Sequence, residues 1–170
     1  MNKSQKTVLT GVACGVTTNA ILICLLYQFL PEINLQDNLA DRLSFTLQNL
    51  IFPVFLFFIM LAHIGNSRFT SEAINPLANA ETDQIKIDGK VANNTLEQTF
   101  AFVIATLTLS TVLEIHQLKI ITALTITFII ARIAFWIGYR KNPLYRAPGM
   151  AATSYMILGI FFYTFYQLLS

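Results

Sequence analysis

The residues best suited to chemistry lie in the stretch 131–146, where an arginine inside an apolar segment is followed by a basic loop. Arg132 comes after twelve uncharged residues, and a charge at such a position in a membrane-length segment is costly and usually functional. With their i, i+3 and i+7 spacing, Arg132, Phe135 and Tyr139 share one helical face. That face leads to the cations Arg140, Lys141 and Arg146. The pattern indicates binding of an anionic group.

The apolar segment that precedes it in the chain carries a second polar face. Lys90, Asn94 and Glu97 follow an i, i+4 and i+7 spacing, which places an ammonium, an amide and a carboxylate on one side of a helix. Because these two segments cross the membrane in opposite directions, their polar positions lie at similar depth. We therefore expect Glu97 to lie near Arg132, with a polar pocket between the two faces.

Two interpretations of this pocket are open. Polar groups in membranes commonly hold helices together, so Glu97 and Arg132 could simply form an ion pair. The cations argue for a ligand instead, because Lys90, Arg132 and Arg146 outnumber the single carboxylate. An excess of positive charge leaves room for a bound anion, which an ion-pair lock does not need.

The composition determines which elements must position these residues. The chain has 170 residues, of which 55% are hydrophobic and 12% charged, with a mean hydropathy of +0.59, too apolar for an ordinary soluble domain. A crossing helix needs about 20 residues, and five segments qualify. They are residues 7–30, 43–66, 91–113, 120–139 and 147–170. The sequence predicts an all-α, polytopic membrane helix bundle, with residues 67–90 as its longest connection.

Charge placement predicts the orientation of the bundle. If the five segments alternate in direction, one side of the membrane holds eight cations and the other holds only Arg42 and Lys119. The first group is Lys3, Lys6, Arg68, Lys86, Lys90, Arg140, Lys141 and Arg146. Positive residues favour the cytoplasmic side, so we expect the N-terminus in the cytoplasm. The small net charge of +2 gives no indication of nucleic-acid binding.

Several other functions find no support in the residues. The two histidines, His63 and His116, lie far apart near expected membrane interfaces, so no metal site is predicted. The sequence contains neither a Gly-rich phosphate loop nor a nucleophile elbow. Gly11-Val12-Ala13-Cys14 faintly resembles a lipoprotein cleavage site, but the long apolar region after it favours a retained membrane span.

The spacing of the polar residues resembles a known family. Asn94-Thr-Leu-Glu97-Gln-Thr-Phe, followed by Ala131-Arg132, Gly138-Tyr139 and Arg146, is similar to the membrane-associated proteins in eicosanoid and glutathione metabolism, the MAPEG family. Microsomal glutathione transferases, leukotriene C synthase and microsomal prostaglandin E synthase belong to it. The resemblance spans residues 43–170, and Asn-Thr-Leu-Glu-Gln is most similar to the bacterial branch.

This resemblance implies a four-helix subunit that assembles as a homotrimer in the lipid bilayer. Residues 43–170 would form the four-helix domain, and residues 1–42 would add one N-terminal transmembrane helix and a loop. Glutathione would bind as co-substrate between neighbouring subunits at the cytoplasmic side. A bacterial-type protein of this kind would be an integral protein of the inner membrane.

The resemblance also assigns roles to the polar residues. It implies glutathione-binding roles for Lys90, Asn94, Glu97, Arg132 and Tyr139. Arg146 matches the catalytic arginine that lies at the glutathione sulfur. Two positions depart from the family: Lys90 stands where arginine is common, and Phe135 stands where some members have tyrosine. These departures are compatible with glutathione binding and argue against eicosanoid specificity.

The expected function is that of a membrane-bound glutathione-dependent transferase, or a peroxidase, which activates the glutathione thiol for attack on lipophilic electrophiles. A hydrophobic small molecule would be the second substrate. The alternative is a non-catalytic membrane protein of the same fold that binds a lipid or another anionic ligand. Binding and reaction of glutathione distinguish the two.

Overall fold

The computed structural model describes residues 1–170, with every side chain except that of residue 76. Within these described residues the chain forms five long helices and no strand. The helices are α1 (Lys3–Phe29), α2 (Leu39–Phe69), α3 (Asp83–Val112), α4 (Lys119–Lys141) and α5 (Ala147–Leu169). Each helix is long and apolar enough to cross a membrane. The prediction of an all-α membrane helix bundle is confirmed.

The connection between α2 and α3 is shorter than the sequence suggests. Residues 67–90 were expected to be extramembrane loop, but α2 continues to Phe69 and α3 begins at Asp83. The side chain of Thr82 caps the N-terminus of α3, because its hydroxyl accepts a hydrogen bond from the Ile85 amide at 3.3 Å. The first turns of α3 are polar on their exposed side and bury Ile85 and Asp88 on the other. At the two ends of this stretch, polar composition therefore marked helix extensions, while residues 70–82 form the connection, which is still the longest between the helices.

The five helices pack in a fixed order. Helices α3, α4 and α5 contact one another, and α2 packs against α3 and α4. Helix α1 lies on the other side, mainly against α5 and also against α4. At one end of the bundle, Lys119 at the start of α4 pairs with Glu32 beyond α1 at 2.5 Å. The opposite end contains the N-terminus of α1 and the turn between α4 and α5, and it is called the site end below.

A close approach between α4 and the first turn of α5 fixes how these two helices pack near the site end. Gly149 faces Ala131 and Phe135, and a Cβ atom there would lie 2.5 Å from the Ala131 carbonyl oxygen and 2.7 Å from the Phe135 Cβ. Small residues allow membrane helices to approach in this way. The absence of a side chain at Gly149 therefore sets the distance between the two helices.

Replacing Gly149 with alanine is expected to destabilise the protein by about 2 kcal/mol, because the added methyl group overpacks a backbone contact that cannot yield. Gly159, in the same helix, is the matched control because its Cβ would meet nothing within 4 Å. Thermal unfolding in detergent measures both variants. An equal melting temperature for Gly149→Ala and Gly159→Ala would contradict the close approach.

Candidate functional site

Arg132 lies at the centre of a polar contact set that joins three helices. Its side chain is completely buried, and one Nη donates to Asn94 Oδ1 of α3 at 2.9 Å. The other Nη donates to the Gly149 carbonyl at 3.1 Å and to Thr153 Oγ1 at 2.9 Å, both in α5. The guanidinium also stacks over the Phe135 ring, 4.4 Å from its centroid. Arg132 therefore links α3, α4 and α5 from inside the membrane.

The contact with Arg132 orients the Asn94 side chain. An asparagine amide has an acceptor oxygen and a donor nitrogen, and here the oxygen faces the guanidinium. Among the described side chains, Asn94 Nδ2 has no hydrogen-bond partner, and the residue is half-buried. The amide is thus held with a donor available on the side away from Arg132.

Glu97 does not pair with Arg132 as expected. Among the described residues its carboxylate forms no ion pair, and the side chain is exposed. Each helical residue turns by about 100°, so Glu97 is rotated by about 60° from Asn94, the residue that contacts Arg132. The helix-lock interpretation of this pair is therefore wrong for the protomer.

Glu97 instead belongs to an exposed apolar stripe on α3. Its neighbours Leu96, Phe100 and Ile104 are 50%, 69% and 46% exposed, and all four residues lie on one helical side. A carboxylate in such surroundings is costly in lipid unless it meets a partner. The α3 stripe, defined by these four residues, therefore combines an apolar surface that suits lipid with one carboxylate that needs a partner.

Arg146 and Tyr139 form a second contact at the site end. Arg146 Nη1 donates to the Tyr139 hydroxyl at 3.0 Å, and the guanidinium lies 5.1 Å from the centre of the Tyr139 ring. Tyr139 is buried and meets Phe135 edge to face at 5.7 Å. Arg146 itself is exposed. The face that the sequence predicted on α4 thus runs from buried Arg132 to a guanidinium open to a ligand.

The turn that carries Arg146 is held by local contacts. Residues Pro143–Arg146 form a 3₁₀ turn. The preceding residue, Asn142, caps this turn, because its side-chain Oδ1 accepts a hydrogen bond from the Leu144 amide at 2.9 Å. The turn folds back onto α4 at Gly138, where a Cβ atom would lie 2.9 Å from the Tyr145 carbonyl carbon. Glycine at this position lets the turn approach and brings Arg146 over Tyr139.

Lys90 lies one turn before Asn94 on α3 and is exposed at the site end. Of the six residues that the sequence singled out, the structure brings four into two contacting pairs, Arg132 with Asn94 and Arg146 with Tyr139. Lys90 and Glu97 share the same helix but lie outside both pairs. They remain candidates for contacts with a ligand or a second subunit.

The sequence did not predict a polar cluster at the site end that surrounds the buried carboxylate of Asp88. Asp88 is 3% exposed, accepts a hydrogen bond from Trp136 Nε1 at 2.9 Å and lies 3.3 Å from Arg140 Nε. His63 Nε2 lies 3.4 Å from the other carboxylate oxygen and packs edge to face on Trp136. The sequence did not single out Asp88, because residues 67–90 were predicted to form a connection between helices. The i, i+4 spacing of Trp136 and Arg140 places both side chains on one side of α4, and it was the pattern that could have indicated a shared acidic partner.

We expect Asp88→Asn to lower the free energy of unfolding by about 1–2 kcal/mol, because it removes the charge that Arg140 and Trp136 contact in a buried setting. Trp136 is the single tryptophan of the chain, so its fluorescence during thermal unfolding reports directly on this cluster. Asp83→Asn is the control, since Asp83 is 99% exposed. Equal unfolding of the two variants would show that the cluster contributes nothing.

The chain was compared with known proteins. A model described as the MAPEG family matches residues 46–166, which begin within α2 and end within α5. The match therefore includes every residue of the two contacting pairs and excludes α1. No curated protein and no solved structure matches the chain significantly.

Proposed function

Since this chain belongs to the MAPEG family and is an integral membrane protein of the glutathione and eicosanoid metabolism type, we propose that it is a glutathione-dependent transferase. It would conjugate glutathione to lipophilic electrophiles that reach it through the bilayer. Reduction of lipid-soluble peroxides by the same thiolate is a second reaction open to such a site.

The observation that carries this proposal is the exposed guanidinium of Arg146 on the Tyr139 hydroxyl. A thiol with a pKa near 8.5 is mostly protonated at neutral pH, and a fixed positive charge beside the sulfur favours the thiolate. Each unit by which the pKa falls corresponds to about 1.4 kcal/mol. In the reaction, the thiolate sulfur forms a bond to the electrophilic carbon and the leaving group departs with its electron pair. The thiol proton passes to water.

The remaining candidates suit the other groups of glutathione, which has two carboxylates, an ammonium and two amides. Lys90 and the free Asn94 amide nitrogen would bind carboxylate or carbonyl oxygens, and Tyr139 would contact the peptide beside Arg146. Glu97 would accept from the ammonium group. Arg132 is buried, so it would act through Asn94 by fixing the direction of its amide.

We further propose that the protein assembles as a homotrimer with glutathione between subunits. The α3 stripe supports this arrangement, because its apolar side chains surround an exposed Glu97. A neighbouring subunit would cover the stripe, and the ligand ammonium would neutralise the carboxylate. This assembly relieves the cost of an unpaired charge in lipid.

The site end is proposed to face the cytoplasm, with the protein in a bacterial inner membrane and its N-terminus inside. The support is the distribution of cations, since lysine and arginine are concentrated on the cytoplasmic side of membrane proteins. Glutathione is a cytoplasmic solute in cells that make it, so this orientation gives the site access to its co-substrate.

The alternative, a non-catalytic protein that binds a lipid or another anion, has one observation in its favour. A mostly apolar cavity of about 510 Å³ lies toward the end of the bundle opposite the site end, lined by residues of α1, α3, α4 and α5 that include Tyr27, Leu109 and Tyr163. A cavity of this kind suits an acyl chain and needs no glutathione.

Purified protein in detergent distinguishes the two functions. Glutathione is titrated while thiolate absorbance is followed in the ultraviolet, and conjugation of 1-chloro-2,4-dinitrobenzene is then measured. The transferase proposal requires both a bound thiolate and a product that forms faster than without protein. Protein that neither binds glutathione nor forms the product would overturn it.

A further inference from the structure

A second cavity lies beside Arg146 at the site end. Its volume is about 310 Å³, and helix α1, the turn before α5 and α5 itself form its walls. Val8 and Val12 of α1 line the cavity, and so do Leu144 and Arg146 of the turn. Met150 and Ser154 are among the α5 residues that line it. Arg146 is thus one of the few polar residues that line an otherwise mainly apolar space.

Helix α1 is anchored where it forms this wall. A Cβ atom on Gly11 would lie 3.1 Å from the Ala147 Cβ, and one on Gly15 would lie 2.7 Å from the Pro148 Cα. One turn further, the buried Asn19 Nδ2 donates to the Ala152 carbonyl at 3.3 Å. These contacts bring the α1 backbone directly onto the first turns of α5, and they fix the position of Val8 and Val12.

We propose that α1 forms a wall of the binding site for the hydrophobic electrophile, and that Val8 and Val12 set the size of the molecule it accepts. The proposal rests on the proposed transferase function and extends it to a substrate class. Helix α1 lies outside residues 46–166, so the size limit belongs to the part of this chain that the family model does not include.

The dimensions and chemistry of the cavity define the substrate class. A cavity of about 150 Å³ holds one benzene ring, so 310 Å³ holds a compact molecule with one or two rings. The apolar walls favour an uncharged compound. With an aryl halide, a carbon–sulfur bond forms, the carbon–halogen bond breaks, and halide departs with the electron pair beside Arg146. Long-chain lipid substrates exceed this space.

The first test compares electrophiles of different size in the full-length protein. Val12→Trp is expected to lower kcat/KM for a two-ring chloronitroaryl compound about tenfold more than for 1-chloro-2,4-dinitrobenzene, because steric exclusion acts on the larger substrate. Val12→Ala should shift this ratio in the opposite direction. Leu9→Trp is the matched control, as Leu9 is 57% exposed on the same helix. Equal ratios in Val12→Trp and Leu9→Trp would overturn the proposal.

The second test does not depend on glutathione. In a Cys14→Ser, Cys24→Ser background, Val12→Cys is labelled with a maleimide in the presence of 2,4-dinitrotoluene, an aryl compound without a leaving group. Protection of Val12→Cys but not of Leu9→Cys supports the α1 wall, and labelling at the same rate with and without the compound overturns it. Protection in a protein whose wild type forms no glutathione thiolate would overturn the transferase function and retain the aryl site.

Discussion

Replacing Arg146 with alanine is expected to lower the conjugation rate at pH 7 about 30-fold. The estimate follows from ionisation, because a thiol with a pKa near 8.5 is only about 3% thiolate at this pH. The rate of the variant should rise about tenfold per pH unit up to the pKa of the free thiol. Wild-type protein should vary little across the same range. Initial rates at saturating glutathione from pH 6 to pH 9 measure both profiles.

Two variants control this experiment. Lys141→Ala removes an exposed cation from the same basic segment and should leave the profile unchanged. Arg146→Lys keeps the charge but loses the planar fork, so its rate should fall between those of wild type and Arg146→Ala. A wild-type rate in Arg146→Ala would retain the enzyme but remove the role assigned to the guanidinium.

Replacing Arg132 with methionine is expected to weaken glutathione binding at least tenfold and to destabilise the protein by about 2 kcal/mol. The variant removes the hydrogen bonds that Arg132 donates to Asn94, Gly149 and Thr153, and each of the three acceptors then loses a partner. Calorimetric titration with glutathione measures binding. Thermal unfolding followed by Trp136 fluorescence measures stability.

A double-mutant cycle determines whether Arg132 acts through Asn94. If the guanidinium only orients the amide, the variant with both Arg132→Met and Asn94→Ala should bind glutathione no more weakly than Asn94→Ala alone. Losses that add would instead mean that Arg132 contacts the ligand directly. Comparison at a temperature where all four proteins are folded keeps the stability effect out of the binding measurement.

The sequence predicted the helices better than it predicted the contacts between them. Five apolar runs of membrane length define five helices, because each span must satisfy its backbone hydrogen bonds internally. The 3.6-residue period placed Arg132, Phe135 and Tyr139 on one face, and the ring and guanidinium contacts confirm that face. The family resemblance was also confirmed. Its assignment of ligand contacts remains a prediction.

What the sequence did not reveal depends on packing between helices. Asp88 appeared to be a loop residue because its neighbours are polar, and only the contact of α3 with α2 and α4 makes it a buried carboxylate. Glu97 appeared to be the partner of Arg132, yet a rotation of about 60° along α3 exposes it. Hydropathy identified α1 as a membrane span without indicating that it packs on α5 beside Arg146.

The packing of α1 against α5 has a consequence for biogenesis. Helix α1 leaves the ribosome well before α5, yet α1 makes most of its helix contacts with α5. During synthesis α1 must wait in lipid, with the polar Asn19 side chain unpaired, until the Ala152 carbonyl arrives. Contacts between distant segments form late in folding. The bundle therefore closes only after α5 has been synthesised, and a chain that stops before α5 leaves α1 without its main partner.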